Sequence, residues 1–161
     1  MSLATQWARV RFNHNLICIS TASGLRRSAY DPQGLDFFLP ASCSDEELGQ
    51  ALLSSLEKSR VIRPEELGSF FDLKVSEEFY EAWVGKLLSA LGMTRQKAFK
   101  GMKLCHASVR EGILSLSPTR KERGEAWSGR DIEDEDTISL AKSSTPTVVG
   151  SCIRQALERC K

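Results

Sequence analysis

The chain has 161 residues, of which 41% are hydrophobic and 27% are charged, and its formal net charge is +1 at pH 7. This length suits one domain over residues 1–161 with a core of its own, and the composition excludes a disordered or fibrous chain. The balanced charge provides no overall field for nucleic acid or an anionic membrane, so any charged partner must bind a local patch.

The apolar runs, the N-terminal residues and the cysteines together indicate the cellular compartment. No apolar run reaches the roughly 20 residues of a membrane span, and the opening MSLATQWARVRF lacks the apolar segment of a secretory signal. The five cysteines are odd in number and include no C-x-x-C pair, which is typical of free thiols in a reducing environment. We therefore expect a cytoplasmic protein with no membrane partner.

The N-terminal segment, residues 1–34, predicts a strand or hairpin followed by a loop. Residues 10–19, VRFNHNLICI, are rich in β-branched and aromatic side chains, and the following STASG supplies turn-forming residues. Residues 26–34, RRSAYDPQG, are typical of an exposed loop.

A well-marked helix follows the short apolar run LDFFLP, which we read as a strand. Ser44 with Glu47 three residues later forms a capping box, and Asp45 and Glu46 favour the positive end of the helix dipole. Apolar residues then recur at helical spacing through SDEELGQALLSSLEKSR.

Two further elements are predicted before residue 120. A second helix has Ser76 as its N-cap and Gly92 as its stop. Its apolar side chains fall on one broad face: Phe79, Tyr80, Trp83, Val84, Leu87, Leu88 and Leu91. Residues 102–118, MKLCHASVREGILSLSP, indicate a β-hairpin with its turn at residues 110–112.

The chain repeats a pattern. Residues 35–60 and 136–161 align without a gap at an offset of 101 and share five identities, Leu39/Leu140, Ser42/Ser143, Gly49/Gly150, Leu56/Leu157 and Glu57/Glu158. Both copies read as strand, Ser-rich loop and capped helix, the second with Thr145 as N-cap and Pro146 at the first helical position. An ancient duplication and shared structural constraints both account for this similarity. Because Gly49 and Gly150 each cost a helix about 1 kcal/mol relative to alanine, they predict close approach of each helix to a sheet.

The predicted fold is therefore α/β in the wider sense, more specifically α+β. It has a single mixed β-sheet with helices packed on it and two strand-loop-helix units related by the offset of 101 residues.

Catalytic chemistry is hard to find in this chain. Its only histidines are His14 and His106, and the sequence contains neither a G-x-S-x-G elbow nor a glycine-rich phosphate loop. We predict no catalytic residues, no cofactor and no metal site, so the protein is not expected to be an enzyme. An enzyme would have to use carboxylates such as Asp131 and Glu133 with a metal.

The strongest local charge is an acidic block. Five carboxylates occupy the six positions from Asp131 to Asp136 in the stretch GRDIEDEDTIS. Such a block is either a solvated loop or a surface for a basic protein partner, because clustered carboxylates attract cationic proteins and accept bidentate arginine. Trp127, just upstream, is either an aromatic anchor of that surface or part of the core.

A basic stretch supplies the alternative. Residues 94–103, TRQKAFKGMK, place Arg95, Lys97, Lys100 and Lys103 around Phe99, a mixture that suits single-stranded nucleic acid. A small nucleic-acid-binding module that uses residues 95–103 is therefore the second hypothesis, beside a merely solvated basic face.

Three segments together resemble the immunity proteins of bacterial contact-dependent growth inhibition (CDI) systems. The segments are LPASCSDEELGQALLSSLEKSR, FYEAWVGKLLSALGMTRQKAFKGMKLCHASVREGILSLSPTRKERGEAW and VVGSCIRQALERC. The resemblance covers residues 35–161, which we take as the family-like core, and its most specific part is the hairpin from GMKLC to LSPT followed by EAW.

The resemblance implies a non-enzymatic inhibitor that acts in the cytoplasm. Such a protein binds and neutralises the C-terminal toxin domain of a CDI effector, and these toxins are often nucleases. Nucleases bind a polyanion through basic residues, so an acidic loop can compete for the same surface. The resemblance implies a one-to-one complex with the toxin and no direct contact with nucleic acid, and the contact residues are inferred from charge. The predicted contact residues are Trp127, Arg130, Asp131, Glu133, Asp134, Glu135 and Asp136.

Overall fold

The computed structural model describes residues 2–161 and shows a mostly antiparallel sheet with helices packed on both faces. The strands are β1 Gln6–Asn13, β2 Leu16–Gly24, β3 Ser28–Tyr30, β4 Asp36–Pro40, β5 Lys103–Arg110, β6 Ile113–Pro118, β7 Arg120–Lys121, β8 Trp127–Ser128 and β9 Ile138–Ala141. The α-helices are α1 Asp45–Glu57, α2 Leu67–Phe70, α3 Leu73–Leu91, α4 Arg95–Phe99 and α5 Pro146–Glu158, and Pro64–Glu66 and Asp134–Asp136 form 3-10 turns.

The main sheet has seven strands in the order β3-β2-β1-β5-β6-β9, with β4 pairing β2 beside β3. Its strand pairs are antiparallel, and the parallel component is an isolated bridge between Gly24 and Val61. The predicted hairpin at residues 102–118 is present as β5-β6, and β1 and β5 pair at the centre of the sheet. The N-terminal segment also forms a hairpin, β1-β2, but its turn is at His14 and Asn15, and the turn predicted at STASG is wrong because those residues lie in β2. The prediction of an α+β fold built on a sheet with packed helices is confirmed. A separate two-stranded ribbon, β7-β8, lies outside the main sheet.

The repeat seen in the sequence extends through both halves of the fold. Helices α1 and α5 begin at residues 45 and 146, an offset of 101, and strands β4 and β9 follow the same offset. Hairpins β1-β2 and β5-β6 also correspond, since β5 begins at residue 103 and β1 at residue 6, which is 97 residues earlier. Each half therefore consists of a hairpin, an outer strand and a helix.

Helices α1 and α5 cover one face of the sheet and enclose the main core. The caps form as predicted, because Ser44 Oγ accepts from the backbone N–H of Glu47 at 3.1 Å and Thr145 Oγ1 accepts from that of Val148 at 3.4 Å. The helices contribute five large apolar side chains to this core, Leu48, Leu52, Leu56, Val149 and Ile153. These pack against inward residues of β1, β2, β5 and β6, which are Val10, Ile19, Ala107, Leu114 and Leu116.

The two matched glycines bring the helices together. A methyl group at Gly49 would lie 2.6 Å from the carbonyl carbon of Pro146, and one at Gly150 would lie 2.6 Å from that of Asp45. Each glycine thus meets the first turn of the other helix. The prediction that these glycines mark a close approach of each helix to the sheet is wrong. The close approach is between the two helices, α1 and α5.

Helix α3 lies over part of the opposite face, where it forms a second core cluster with α4. It begins at Leu73 with Asp72 as the N-cap, so the predicted cap at Ser76 is wrong, while the stop at Gly92 is confirmed by its left-handed φ of 65°. The predicted apolar face is only partly buried, since Trp83, Val84 and Leu87 are buried and Phe79 is 39% exposed. Among residues 2–161, no helix has the length and apolarity required for a membrane span.

The loop predicted at residues 26–34 is only partly a loop. Ser28–Tyr30 forms β3, and Asp31 is buried. Its carboxylate accepts from Ser23 Oγ at 2.6 Å, Arg60 Nε at 2.8 Å and the backbone N–H of Gln33 at 2.9 Å. These contacts tie the segment to the chain that follows α1, a connection that the local sequence does not reveal.

Candidate binding surface

The acidic block forms an ordered turn between β8 and β9. Asp131 adopts a positive φ of 63°, and Asp134–Asp136 forms a single 3-10 turn. The backbone N–H of Glu133 donates to Asp136 Oδ2 at 2.8 Å, and the backbone N–H of Asp136 donates to the carbonyl oxygen of Glu133 at 3.0 Å. The loop therefore presents its carboxylates from a defined backbone rather than from a free coil.

Two basic side chains near the C-terminus, Lys161 and Arg159, hold this loop in place. Lys161 Nζ lies 3.6 Å from Asp136 Oδ2, and the Arg159 guanidinium donates to the carbonyl oxygens of Glu135 and Asp136 at 3.3 and 3.2 Å. The hydrogen bond from Glu133 is the main cause that lowers the pKa of Asp136, opposed by desolvation and helped by Lys161 and Arg159. Asp131 pairs with Arg120. Asp131 and Asp136 thus serve mainly to fix the loop.

Three carboxylates of the block point into solvent without an internal counter-ion. Glu133, Asp134 and Glu135 are exposed, and no ion pair to any of them occurs among residues 2–161. Glu133 also caps the 3-10 turn through its side chain. None of the three charges is neutralised within the described chain, so they are available to a cationic partner.

The two remaining predicted contact residues differ from each other. Trp127 is half-buried in the α3–α4 cluster, where its Nε1 donates to the carbonyl oxygen of Met102 at 2.9 Å and its ring lies 6.3 Å from Phe99. Arg130 is exposed at the edge of the loop, with its Nε 3.8 Å from Glu122 Oε1. Of the two readings given for Trp127, the packing favours the core.

The basic stretch that suggested nucleic-acid binding has one of its four cations paired and its aromatic ring buried. Arg95 forms short ion pairs with Glu81 and Glu125, both at 2.7 Å, and Phe99 is 3% exposed. A stacking platform needs an accessible ring, and this ring is inside the second core cluster. No observation on this stretch favours the second hypothesis.

A second polar surface, which the sequence did not reveal, lies on the sheet face opposite α1 and α5. Arg9 and Arg11 project from β1, and Arg9 pairs across the strands with His106 of β5. Burial, and then the charges of Arg9 and Arg11, lower the pKa of His106 to about 4. The alternation of apolar and basic residues along β1 could have revealed this surface. Successive side chains of a strand point to opposite faces, so Arg9 and Arg11 lie on the face opposite Ala8 and Val10.

The described residues offer no grouping for a metal. No set of three or more His, Cys, Asp or Glu side chains within residues 2–161 is arranged to hold an ion. All five cysteines are free thiols. The cysteines Cys18, Cys43 and Cys105 are buried, and Cys152 and Cys160 are partly exposed.

Comparison with known proteins places the chain. The profile of the CDI immunity protein family, CdiI, matches residues 6–160. The chain belongs to this family. Immunity protein CdiI-YPIII of Yersinia pseudotuberculosis serotype O:3 is 34% identical over 168 residues, which is 96% of this chain and 95% of the relative.

Solved structures agree with that assignment of this CDI immunity protein. A chain from a CdiA-CT/CdiI toxin and immunity complex of Yersinia pseudotuberculosis superposes with a TM-score of 0.91 at 33% identity, over 100% of both chains. A protein of unknown function from Neisseria meningitidis superposes with a TM-score of 0.89 at 33% identity, over 97% of this chain and 95% of that one. The family profile matches from residue 6, the first residue of β1. It therefore also includes the N-terminal hairpin, which lay outside the resemblance found in the sequence.

Proposed function

We propose that this CDI immunity protein binds the C-terminal toxin domain of its cognate CDI effector in a one-to-one complex and thereby neutralises it without catalysis of its own. The observation that carries the proposal is the full-length likeness to the immunity chain of a toxin and immunity complex. Since the toxin domain of a CDI effector acts inside the recipient cell, the protein is expected to meet it in the cytoplasm, where free thiols persist.

The exposed carboxylates of the acidic loop form the proposed contact. Glu133, Asp134 and Glu135 have no internal counter-ion, and a loop held rigid by Lys161 and Arg159 loses little conformational freedom on binding. Asp131 and Asp136 add to the local negative field, and Arg130 and Trp127 lie at its edge. A toxin that is a nuclease has a basic substrate surface, which this field attracts.

The direct test is co-purification of the tagged protein with the toxin domain encoded by the adjacent upstream reading frame, followed by rescue of toxin-expressing cells. We expect a stoichiometric complex and restored growth. A folded, active toxin that neither co-purifies nor is inhibited would refute the proposed function.

The loop is tested separately by reversing two charges, Asp134→Lys with Glu135→Lys. Rim charges act chiefly on the association rate, so the double variant should bind the toxin about tenfold more slowly at low salt and lose that difference as salt rises. The matched control is Glu77→Lys with Glu78→Lys, an adjacent exposed pair in α3 with the same change in net charge. Equal association rates for the two double variants would show that the loop is not the contact.

A further inference from the structure

Two arginines and a histidine stand side by side on the second face of the sheet. Arg9 and Arg11 are two residues apart on β1, and Arg9 is the direct cross-strand partner of His106. Opposed Cβ atoms in an antiparallel pair lie about 5 Å apart and alternate residues of one strand lie about 7 Å apart. The three side chains therefore start from neighbouring positions on one surface.

Arg9 has a single polar partner. Its Nη2 donates to the carbonyl oxygen of Ser28 at 3.0 Å, and it forms no ion pair with any carboxylate in residues 2–161. Burial, and secondly the charge of Arg11, lower the pKa of Arg9 to about 10. A desolvated guanidinium without a counter-ion is costly to a folded protein, so an unpaired one needs a reason.

Arg11 is held beside it by aromatic rings rather than by an acid. Its guanidinium carbon lies 4.5 Å from the centroid of Trp83 and 5.7 Å from that of Trp127, and its Nε is buried without a hydrogen-bond partner. The charge of Asp36 acts on Arg11. That carboxylate is already occupied by three donors, Ser20 Oγ at 2.8 Å, Tyr30 Oη at 2.7 Å and Lys86 Nζ at 3.4 Å.

The group is open to solvent on the β5-β6 side. Part of the His106 side chain reaches solvent, although the strands and arginines around the imidazole desolvate it enough to lower its pKa. Its neighbour in the next strand is Ser117, whose Oγ lies 3.5 Å from Thr137 Oγ1. A ligand that enters from solvent therefore meets a hydroxyl, an imidazole and the unused N–H donors of Arg9.

We propose that Arg9, Arg11 and His106 form an oxyanion-binding site that takes a carboxylate or a phosphate group. Carboxylates and phosphates both accept paired hydrogen bonds from a planar guanidinium, and an anion in this position supplies the counter-charge that the chain itself lacks. The site adjoins the end of the acidic loop through Ser117 and Thr137, but its ligand is a small oxyanion, so the proposal does not depend on toxin binding.

The experiment is an NMR titration of the intact protein, which follows the imidazole of His106 and the Nε–H of Arg9. Inorganic phosphate and glutarate are the two probes, with sodium chloride at matched ionic strength as the reference. We expect saturable shifts of both resonances with an oxyanion and none with chloride. Bound anion should also raise the pKa of His106 from about 4, because the positive form gains a counter-ion. A response to phosphate alone assigns the site to phosphate groups, and a response to glutarate alone assigns it to carboxylates.

Three arginine variants complete the test. Arg9→Gln should weaken binding by at least about tenfold, and Arg9→Lys, which keeps the charge but not the paired donors, should weaken it less. The matched control Arg123→Gln removes an exposed arginine elsewhere and should bind as the unmodified protein does. Absence of any saturable response in the unmodified protein overturns the proposal even if Arg9→Gln fails to fold, and full binding by a folded Arg9→Gln overturns it as well.

Discussion

Replacement of Gly49 by alanine should destabilise this protein although alanine is the better helix former. Gly49 lies inside α1, where the substitution alone would stabilise the helix by about 1 kcal/mol. Its new methyl group would lie 2.6 Å from the carbonyl carbon of Pro146, and nearer still to the carbonyl oxygen. Both atoms belong to the backbone of α5, so no side-chain rotation relieves the overlap.

The magnitude follows from how far the helices must move. The nearer atom, the carbonyl oxygen, would lie 1.8 Å from the methyl group. Carbon–oxygen contacts need about 3.3 Å, so α1 and α5 must separate locally by roughly 1.5 Å. A gap of even 0.5–1 Å already forfeits about a quarter to a half of the contact energy along it. Overpacking in a core typically costs about 1–3 kcal/mol, and a backbone contact belongs at or above the upper end of that range. After the gain in helix propensity is subtracted, we expect a net loss of about 2 kcal/mol, which lowers the Tm by about 4–8 °C in a domain of this size.

Urea and thermal denaturation of four variants, Gly49→Ala, Gly150→Ala, their combination and Gly85→Ala, test this reasoning. Gly85→Ala is the control, because Gly85 is exposed in α3 and nothing lies within 4 Å of its methyl group, so it should be slightly more stable than the unmodified protein. Combining Gly49→Ala with Gly150→Ala should cost less than the sum of the two, since one separation of the helices relieves both. A Gly49→Ala variant as stable as Gly85→Ala would refute the close approach of the helices.

Three further expectations concern the second core cluster, the buried carboxylate of Asp31 and the thiol of Cys160. Trp83→Ala should cost about 3–5 kcal/mol in denaturant unfolding, because the side chain is 2% exposed in the second core cluster, and a loss below 1 kcal/mol would contradict that placement. Asp31→Asn should cost about 2 kcal/mol at pH 7, since it leaves the partly exposed Arg60 without its counter-ion. Burial tends to raise the pKa of Asp31, but bonds from Arg60, Ser23 and Gln33 outweigh it and leave the pKa below its usual value. Its stabilisation is therefore complete above about pH 4 and fades as the pH falls through the folded-state pKa, so the two proteins should converge in acid. The hydrogen bond from Cys105, 3.5 Å away, lowers the pKa of Cys160 below that of an ordinary thiol against the opposing effect of burial. Alkylation of Cys160 by iodoacetamide should therefore begin at lower pH than that of a free cysteine, and a rise centred near pH 9 would contradict it.

The sequence locates the acidic loop, but it does not show which of the carboxylates in that loop are paired. Five carboxylates in six positions identify the loop from composition alone. The sequence does not show that Asp131 and Asp136 are engaged by Arg120 and Lys161 while Glu133, Asp134 and Glu135 remain free, because those cations come from other parts of the chain. Trp127 stayed ambiguous for the same reason, since its partners Met102 and Phe99 lie more than twenty residues away.

Local chemistry determined the element boundaries that the sequence predicted well. Ser44 and Thr145 cap their helices through bonds to residues three positions on, Gly92 ends α3 in the left-handed conformation, and the β5-β6 hairpin follows short-range turn and strand preferences. All of these interactions lie within a few residues, so the sequence contains them directly. The wrong start of α3 has a local cause too, because Asp72 and Ser76 are both capping residues and Leu73, at 80% exposure, gives no inward pattern between them.

Tertiary structure alone decided which distant residues meet. It placed Gly49 against α5 rather than against the sheet, buried Asp31 beside Arg60, and set Arg9 next to His106 without a carboxylate. Each of these depends on strand register or helix packing between segments 29 to 101 residues apart. Such contacts are selected by the burial of the whole core, which no single segment of the sequence encodes.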